Sequence, residues 1–334
     1  MITIPVLTLR QAALWNLRQL GLITPFATVE EGVRSLVAVQ AQNFREARDA
    51  LALRTEQAEQ VRINHLLYPN GEIVRIWTVR GTLHLVRADE VAIHQIATSE
   101  DWFSRWGRFL DRHLPVPRAK LIPELYQQIA EVLQEEPLNY GQIVERIDLA
   151  EPYKHLLPHL MKDLCFLGFC VRGPQDGRAA TYYMVNYPLY PGLQRREAQA
   201  KLLKRYIRRY GPISLGDLAY WSGLRLSDVK KIMPSISGEL LTVRLEGQAD
   251  QAFIYKEQLE MLLAQPLNIV LPTHYLPAFD VLLLAYKDKS RFLAKENVKK
   301  VFLSAARVCP ILLEDGRVVG TWRRKQEESV TELF

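Results

Sequence analysis

The sequence predicts an α+β fold in which tandem winged-helix units are followed by a small β-barrel domain. Amphipathic helices followed by two strands recur three times along the 334 residues, as expected of a chain built from repeated units. Short apolar strands replace the helices from Leu267 onward, and Asp315-Gly316 is a signal for a tight hairpin turn. We therefore divide the chain into three winged-helix segments and a β-barrel, at 1–116, 117–192, 193–264 and 265–334.

The first segment begins with helices that carry recognisable end signals. Thr8 opens a capping box and Gly21 stands where a terminating glycine is expected, which predicts a helix over 9–20. A second capping box at 28–31 opens a helix that runs toward Gln40. The remaining predicted elements are helices at 46–53 and 61–67, strands at 73–79 and 82–86, and a helix at 89–106 capped by Asp89.

The same order of elements returns twice. The second segment contains predicted helices at 120–133, 138–147 and 153–167 and strands at 168–172 and 180–184. The third contains helices at 195–210, 215–221 and 227–233, with Ser214 as a cap, and strands at 240–245 and 252–255. Helix-turn-helix units place one helix in the major groove of DNA. Winged-helix units that mediate only protein contacts are the alternative.

The end of the chain is predicted to be all β. Its strands are expected at 268–271, 281–285, 311–314 and 317–322. These runs are short and apolar, and turn signals bound them, as in a small barrel or sheet.

Composition excludes several classes of protein. The chain is 48% hydrophobic and 24% charged, close to globular averages. It has no apolar run of the roughly 18 residues that a membrane span needs, and its first residues lack the pattern of a signal peptide. Three cysteines without a CxxC pair do not form a disulfide framework. We expect a cytoplasmic bacterial protein that joins the nucleoid when it binds DNA.

A mildly basic balance, with a net charge of +6, permits nucleic-acid binding without establishing it. The helix predicted at 195–210 concentrates cations, and Lys204, Arg205 and Arg208 are the residues that we expect to meet DNA phosphates. A solvated surface helix with no ligand is the other interpretation of this pattern.

Catalytic motifs of the common kinds are absent from the sequence. There is no local Ser-His-Asp, Cys-His or metal-ligand cluster and no glycine-rich nucleotide motif, so we expect no metal and no cofactor. The remaining candidate is the polar cluster Gln40-Ala41-Gln42-Asn43, at the end of an apolar helix face. Without further context, a polar helix terminus is by far the better explanation of this cluster.

Four separated motifs resemble the AlkZ/YcaQ family of DNA glycosylases. They are 36–43 (LVAVQAQN), 76–86 (IWTVRGTLHLV), 276–289 (LPAFDVLLLAYKDK) and 316–323 (GRVVGTWR). The resemblance spans almost the whole chain and implies tandem winged-helix units and a β-barrel around a DNA-binding channel. The family motif Gln-Φ-Gln corresponds to Gln40-Ala41-Gln42, which implies that Gln40 and Gln42 are catalytic.

The resemblance also implies a reaction, the excision of N7-alkylated purines from double-stranded DNA and, in some members, the unhooking of interstrand crosslinks. An N7-alkylguanine is already cationic and leaves without protonation, so neutral amides need only orient water and stabilise the positive sugar. No lysine lies near the motif for a Schiff-base step. We therefore expect a monofunctional enzyme that is selective for cationic lesions in base excision repair.

Supporting roles are expected for residues near the motif and in the first predicted wing. Asn43, Arg80, Thr82 and His84 are candidates to contact DNA or line the pocket, although His84 could equally pack in the core. Asp280 is expected to make a structural hydrogen bond. A monomer is expected. The alternative function is that of a non-catalytic winged-helix regulator of transcription.

Overall fold

The structure is a computed structural model that describes residues 4–56, 60–68, 71–114, 116–149, 151–176, 179–184, 192–325 and 328–334. These residues form a mixed α+β fold. The chain divides into two compact units, of which the first combines Met1–Glu59 with Ala200–Phe334 and the second comprises Gln60–Gln199. The division into four segments made from the sequence stays a prediction.

The helices and strands are numbered along the chain. The α-helices of the described residues are α1 (Leu9–Gln19), α2 (Val29–Leu36), α3 (Phe44–Ala52), α4 (Gln60–Leu67), α5 (Val91–Leu110), α6 (Arg118–Val132), α7 (Tyr140–Arg146), α8 (Glu151–Lys154), α9 (Leu157–Phe166), α10 (Arg195–Tyr210), α11 (Leu215–Ser222), α12 (Leu226–Ile232), α13 (Lys256–Ala264), α14 (Val281–Leu284) and α15 (Val298–Val301). The strands are β1 (Val6–Leu7), β2 (Val39–Gln40), β3 (Ile73–Trp77), β4 (Leu83–Arg87), β5 (Leu138–Asn139), β6 (Val171–Asp176), β7 (Ala179–Tyr183), β8 (Ile213–Ser214), β9 (Leu240–Leu245), β10 (Gln251–Tyr255), β11 (His274–Leu276), β12 (Phe302–Leu303), β13 (Arg307–Val308), β14 (Ile311–Glu314), β15 (Arg317–Lys325) and β16 (Glu328–Leu333).

The first unit contains a four-stranded sheet in the order β1-β9-β10-β8. The hairpin β9–β10 is antiparallel, β8 extends it on one side, and the short β1 pairs with β9 in parallel. Helix α1 packs on this sheet, since Leu7, Ala12 and Trp15 share one apolar cluster with strand residues of β9 and β10. Burial of that cluster therefore ties the start of the chain to its third helix–hairpin group.

The C-terminal part of the first unit contains a second sheet in the order β11-β14-β15-β16, with every pairing antiparallel. In the described part of the chain no pairing joins β11 to β16, so this sheet is open and the predicted small β-barrel is not found. The predicted Asp315-Gly316 hairpin turn is confirmed. Both residues have positive φ, 44° and 76°, as the type I′ turn requires.

Two predicted C-terminal strands are wrong. Residues 281–284 form the short helix α14, because the buried side chain of Asp280 caps it by accepting from the backbone N–H of Leu282 at 2.9 Å. Residues 268–271 form no strand. A short apolar run has no periodicity that separates a buried strand from a buried helix.

The second unit contains antiparallel strands in the order β4-β3-β6-β7-β5. Helices α5, α6, α7 and α9 surround one apolar cluster of this unit, which includes Leu125, Ile143, Leu160 and Tyr182. The order α6, β5, α7, α9 and β6–β7 matches the order of elements predicted for the second repeat.

Helix ends account for two further differences in the second unit. The helix predicted at 153–167 is divided into α8 and α9, because Pro158 fits only the first turn of a helix and therefore starts a new one. Asp89 does not cap α5, because it lies inside a 3₁₀ turn at Ala88–Glu90 and α5 begins at Val91. Of the helices in the described ranges, none is long and apolar enough to cross a membrane.

Candidate functional site

The Gln40-Ala41-Gln42 motif lies on an extended segment between two helices, and the predicted helix terminus is wrong. Helix α2 ends at Leu36, β2 covers Val39–Gln40, and α3 begins at Phe44. Ala41 is fully buried, whereas Gln40 is half-buried and Gln42 is exposed. Alternate residues of an extended chain face opposite sides. Gln40 ends β2 and Gln42 lies in the bend before α3, and both side chains are more exposed than Ala41.

A strained turn at Val37 separates the helix from the motif. Val37 is buried and has φ 65° and ψ −51°, and the N–H of Ala38 donates to the carbonyl of Leu36 at 2.7 Å. This is a γ-turn of the rarer hand, and for a β-branched residue it costs about 1–3 kcal/mol. The same Leu36 carbonyl accepts from the hydroxyl of Tyr210 at 2.8 Å. Packing and this second bond therefore hold the turn that directs the chain into the motif.

Replacing Tyr210 with phenylalanine removes the hydroxyl that holds the Leu36 carbonyl. We expect the reaction that the family resemblance implies to slow by about an order of magnitude in a single-turnover assay, because small misplacements of catalytic groups have this effect or a larger one. DNA affinity should not change. Tyr206→Phe is the matched control, since its hydroxyl donates to the carbonyl of Ala285. Equal rates for the two variants would contradict a positioning role for Tyr210.

Asn43 follows the motif and caps α3. Its side-chain oxygen accepts from the backbone N–H of Arg45 at 3.1 Å. The side chain therefore has a structural contact, and the DNA contact expected for Asn43 stays a prediction.

Helix α3 is anchored to the 278–280 segment at both ends. Near its start, Glu46 accepts from the backbone N–H of Ala278 at 2.8 Å. Just beyond its end, Arg54 forms a 2.7 Å ion pair with Asp280, and the two side chains are 0% and 1% exposed. Burial raises the pKa of Glu46, and the hydrogen bond from Ala278 opposes that shift. Asp280 therefore has the structural contacts expected of it.

The predicted first wing belongs to the second unit, where β3 and β4 form an antiparallel hairpin. A 3₁₀ turn at Val79–Gly81 joins the strands, and Arg80 adopts the left-handed region with φ 57°. Gly81 also has positive φ, and a Cβ there would lie 2.5 Å from the ring of Trp102. Only glycine fits that position. Arg80 and Thr82 are half-buried at this turn.

His84 is buried in the same hairpin. Its Nδ1–H donates to the carbonyl of Thr82 at 2.9 Å, which assigns the proton to Nδ1. Burial, with the charge of Arg80 second, lowers the pKa of His84 well below its usual value. The imidazole is therefore neutral, and Nε2 carries the lone pair.

The stability of the second unit should decrease in acid because of His84. Below a pH of about 6.5 the unfolded chain binds a proton on this residue and the folded chain does not. Stability is thus lost as the pH falls from about 6.5 toward the lower folded pKa, at up to about 1.4 kcal/mol per pH unit. Urea unfolding at pH 7.5 and pH 5.5 tests this. A His84→Gln variant that loses as much stability on acidification as the wild type would contradict the assignment.

The predicted cationic helix is present as α10. Leu203, Ile207 and Tyr210 are buried, as its apolar periodicity predicts. Lys204 and Arg205 are half-buried and Arg208 is exposed. Arg208 forms a 2.8 Å ion pair with Glu257 and lies 4.0 Å from the ring centroid of Tyr255. Its charge is thus already partly compensated within the protein.

The structure brings together some predicted residues and adds others. Gln40, Gln42 and Asn43 share one segment of the first unit, whereas Arg80, Thr82 and His84 share the hairpin of the second. The sequence did not point to Val37, Tyr210, Glu46 or Arg54 as supports of the motif. No local signal marks them, because their partners come from distant parts of the chain. Among the described residues, no group of three or more His, Cys, Asp or Glu side chains is placed to hold a metal ion.

Comparisons with known proteins find a matching family, a relative and a similar solved structure. Residues 33–333 match a family described as DNA glycosylase AlkZ-like. A protein of Streptomyces sahachiroi named interstrand DNA cross-link repair glycosylase is 27% identical in an alignment of 323 residues that covers 90% of this chain and 84% of the relative. The solved structure of the Streptomyces sahachiroi DNA glycosylase AlkZ superposes with a TM-score of 0.81 at 25% identity. That match covers 98% of this chain and 91% of the other.

Proposed function

Since the chain belongs to the AlkZ-like family of DNA glycosylases, and is therefore a DNA glycosylase, we propose that it excises cationic N7-alkylated purines from double-stranded DNA. The observation that carries the proposal is the pair of amides at Gln40 and Gln42 on one segment, with neither side chain fully buried. The reaction cleaves the N-glycosidic bond with water, and it releases the base and leaves an abasic site.

Amide chemistry suits this substrate class. Each glutamine carbonyl can accept a hydrogen bond from the attacking water, and its dipole stabilises the positive charge that develops on the sugar. An amide does not act as a strong base or acid at neutral pH. The leaving base must therefore already carry its positive charge, which an N7-alkylpurine does.

The proposed enzyme is monofunctional. The first lysine of the sequence is Lys120, so the motif has no lysine close to it in the chain that would suggest an amine attacking the sugar carbon. We expect the abasic site to remain intact and a borohydride trap to capture no protein–DNA adduct.

Duplex binding is assigned to the repeated helix–hairpin groups, which we interpret as winged-helix units. Helices α11 and α12 precede the hairpin β9–β10 in the first unit, and α7 and α9 precede β6–β7 in the second. Ser214 and Asn139 begin the corresponding helices α11 and α7 with capping boxes. Lys204 and Arg205 on α10, and Arg80 in the other hairpin, are proposed to contact phosphates, with the enzyme acting as a monomer.

The proposal includes interstrand crosslinks that are attached through purine N7. One relative is named for the repair of interstrand DNA cross-links. In a crosslink through purine N7, each attached base carries the same positive charge as a simple N7 adduct. The two amides would therefore cleave either bond by one mechanism.

The experiment is an excision assay on duplex DNA that contains a single N7-methylguanine. With the enzyme in excess, alkali-labile abasic sites should accumulate in a single exponential. Gel-shift measurements on the same duplex give the affinity. Binding without any base release would overturn the proposal and favour a non-catalytic DNA-binding protein.

A further inference from the structure

We propose that Phe279 contacts the substrate directly, and that its ring packs against the nucleobase or sugar of the damaged nucleotide. This inference rests on the proposed function. It assigns a second contributor to the site, an aromatic face, beside the two amides.

The backbone of Phe279 is the first observation. Its φ is +60°, in the left-handed region that residues with a bulky side chain rarely adopt. Strained residues of this kind persist where the surrounding structure holds them, and they are concentrated at ligand-binding sites. Val37, on the other side of the motif, is also strained, with φ +65°.

Both neighbours of Phe279 are fixed to α3, the helix that begins directly after the motif. The N–H of Ala278 donates to Glu46, in the first turn of α3. Asp280 is bound by the buried Arg54, which also donates to the carbonyl of Ala50 at 2.8 Å. Phe279 thus lies between two anchors, and one of them is four residues from Gln42 in sequence. A change to negative φ would move one of these anchored neighbours, and the Arg54–Asp280 pair on one side is fully buried.

Phe279 is partly exposed. In the part of the chain that the structure describes, its ring has no ring–ring or cation–π contact. A fold that needed only a turn here would be served better by glycine, which adopts positive φ without strain. An aromatic residue anchored to the helix that follows the motif suits a nucleobase, since every base offers a π-surface for stacking.

The test compares variants of Phe279 in single-turnover excision from the N7-methylguanine duplex. Phe279→Gly relieves the strain and removes the ring, and Phe279→Leu keeps apolar bulk without the aromatic face. For both variants, we expect the ratio of the maximal excision rate to the half-saturating enzyme concentration to fall at least about 10-fold, because stacking on one base contributes a free energy of this size. Phe279→Tyr should stay within about threefold of the wild type.

Ala305→Gly is the matched control, because Ala305 also has positive φ, at 56°, is exposed and carries no ring. Ala305→Gly should leave excision unchanged, which would show that the release of backbone strain does not by itself alter the activity. The activity of Phe279→Gly should fall, whereas its midpoint of thermal unfolding should not. Excision by Phe279→Leu at the wild-type rate would overturn the substrate contact and leave the proposed function intact. Wild-type protein that releases no base would overturn both.

Discussion

Substituting alanine for Gln42 should reduce single-turnover excision of N7-methylguanine by at least about 10²-fold, because removing one preorganised polar group from a charged transition state has this effect. Gln40→Ala should have an effect of the same order. The affinity for duplex DNA should stay within about twofold of the wild type. The amides are proposed to act on the sugar and the attacking water, whereas phosphate contacts supply most of the binding.

The control for these substitutions is Gln127→Ala, at an exposed glutamine of α6 whose side chain donates to Glu131 at 3.4 Å. It should leave both rate and affinity unchanged. A Gln42→Ala variant that keeps more than about a tenth of the wild-type rate would remove Gln42 from the chemistry. Because Gln42 is exposed, the variant should fold normally, and its loss of activity will not reflect a loss of structure.

The second large effect is expected on stability. Arg54→Met should lower the free energy of unfolding by about 3–5 kcal/mol, because it leaves the carboxylate of Asp280 buried without its partner. The side chain of Asp280 also caps α14, so an uncompensated charge at this position affects the segment that carries Phe279. Urea denaturation of the purified variant measures the change.

A double variant separates the lost ion pair from lost packing. In Arg54→Met with Asp280→Asn neither charge remains, and an asparagine oxygen can still accept from Leu282. The double variant should recover most of the stability that Arg54→Met loses. If Arg54→Met alone loses less than about 1 kcal/mol, the pair is not an anchor of α3.

Much of the fold follows from local signals in the sequence. The capping box at Thr8, the cationic helix α10 and the turn at Asp315 all appear where the sequence predicts them. These signals work because helix caps and tight turns are satisfied by residues a few positions apart. Elements without such signals were mispredicted. The apolar run 281–284 became a helix, and the last strands formed an open sheet because barrel closure depends on pairings between distant strands.

The candidate site shows the same division. The two glutamines stand two residues apart, so a motif identifies them as a pair. No motif identifies the contacts that support the two glutamines. Tyr210 lies 174 residues from Leu36, and Asp280 lies 226 residues from Arg54. The turn at Val37 could not be predicted either, because valine disfavours positive φ and only the tertiary contacts explain why the helix stops there.

The central claim is that two neutral amides catalyse the departure of a base that already carries a positive charge. The most direct measurement is a competition in one reaction between duplexes containing N7-methylguanine and duplexes containing hypoxanthine, a neutral purine, with released bases quantified by mass. We predict release of N7-methylguanine and no release of hypoxanthine. Release of hypoxanthine at a comparable rate would contradict the claim, because an amide cannot protonate a neutral leaving base.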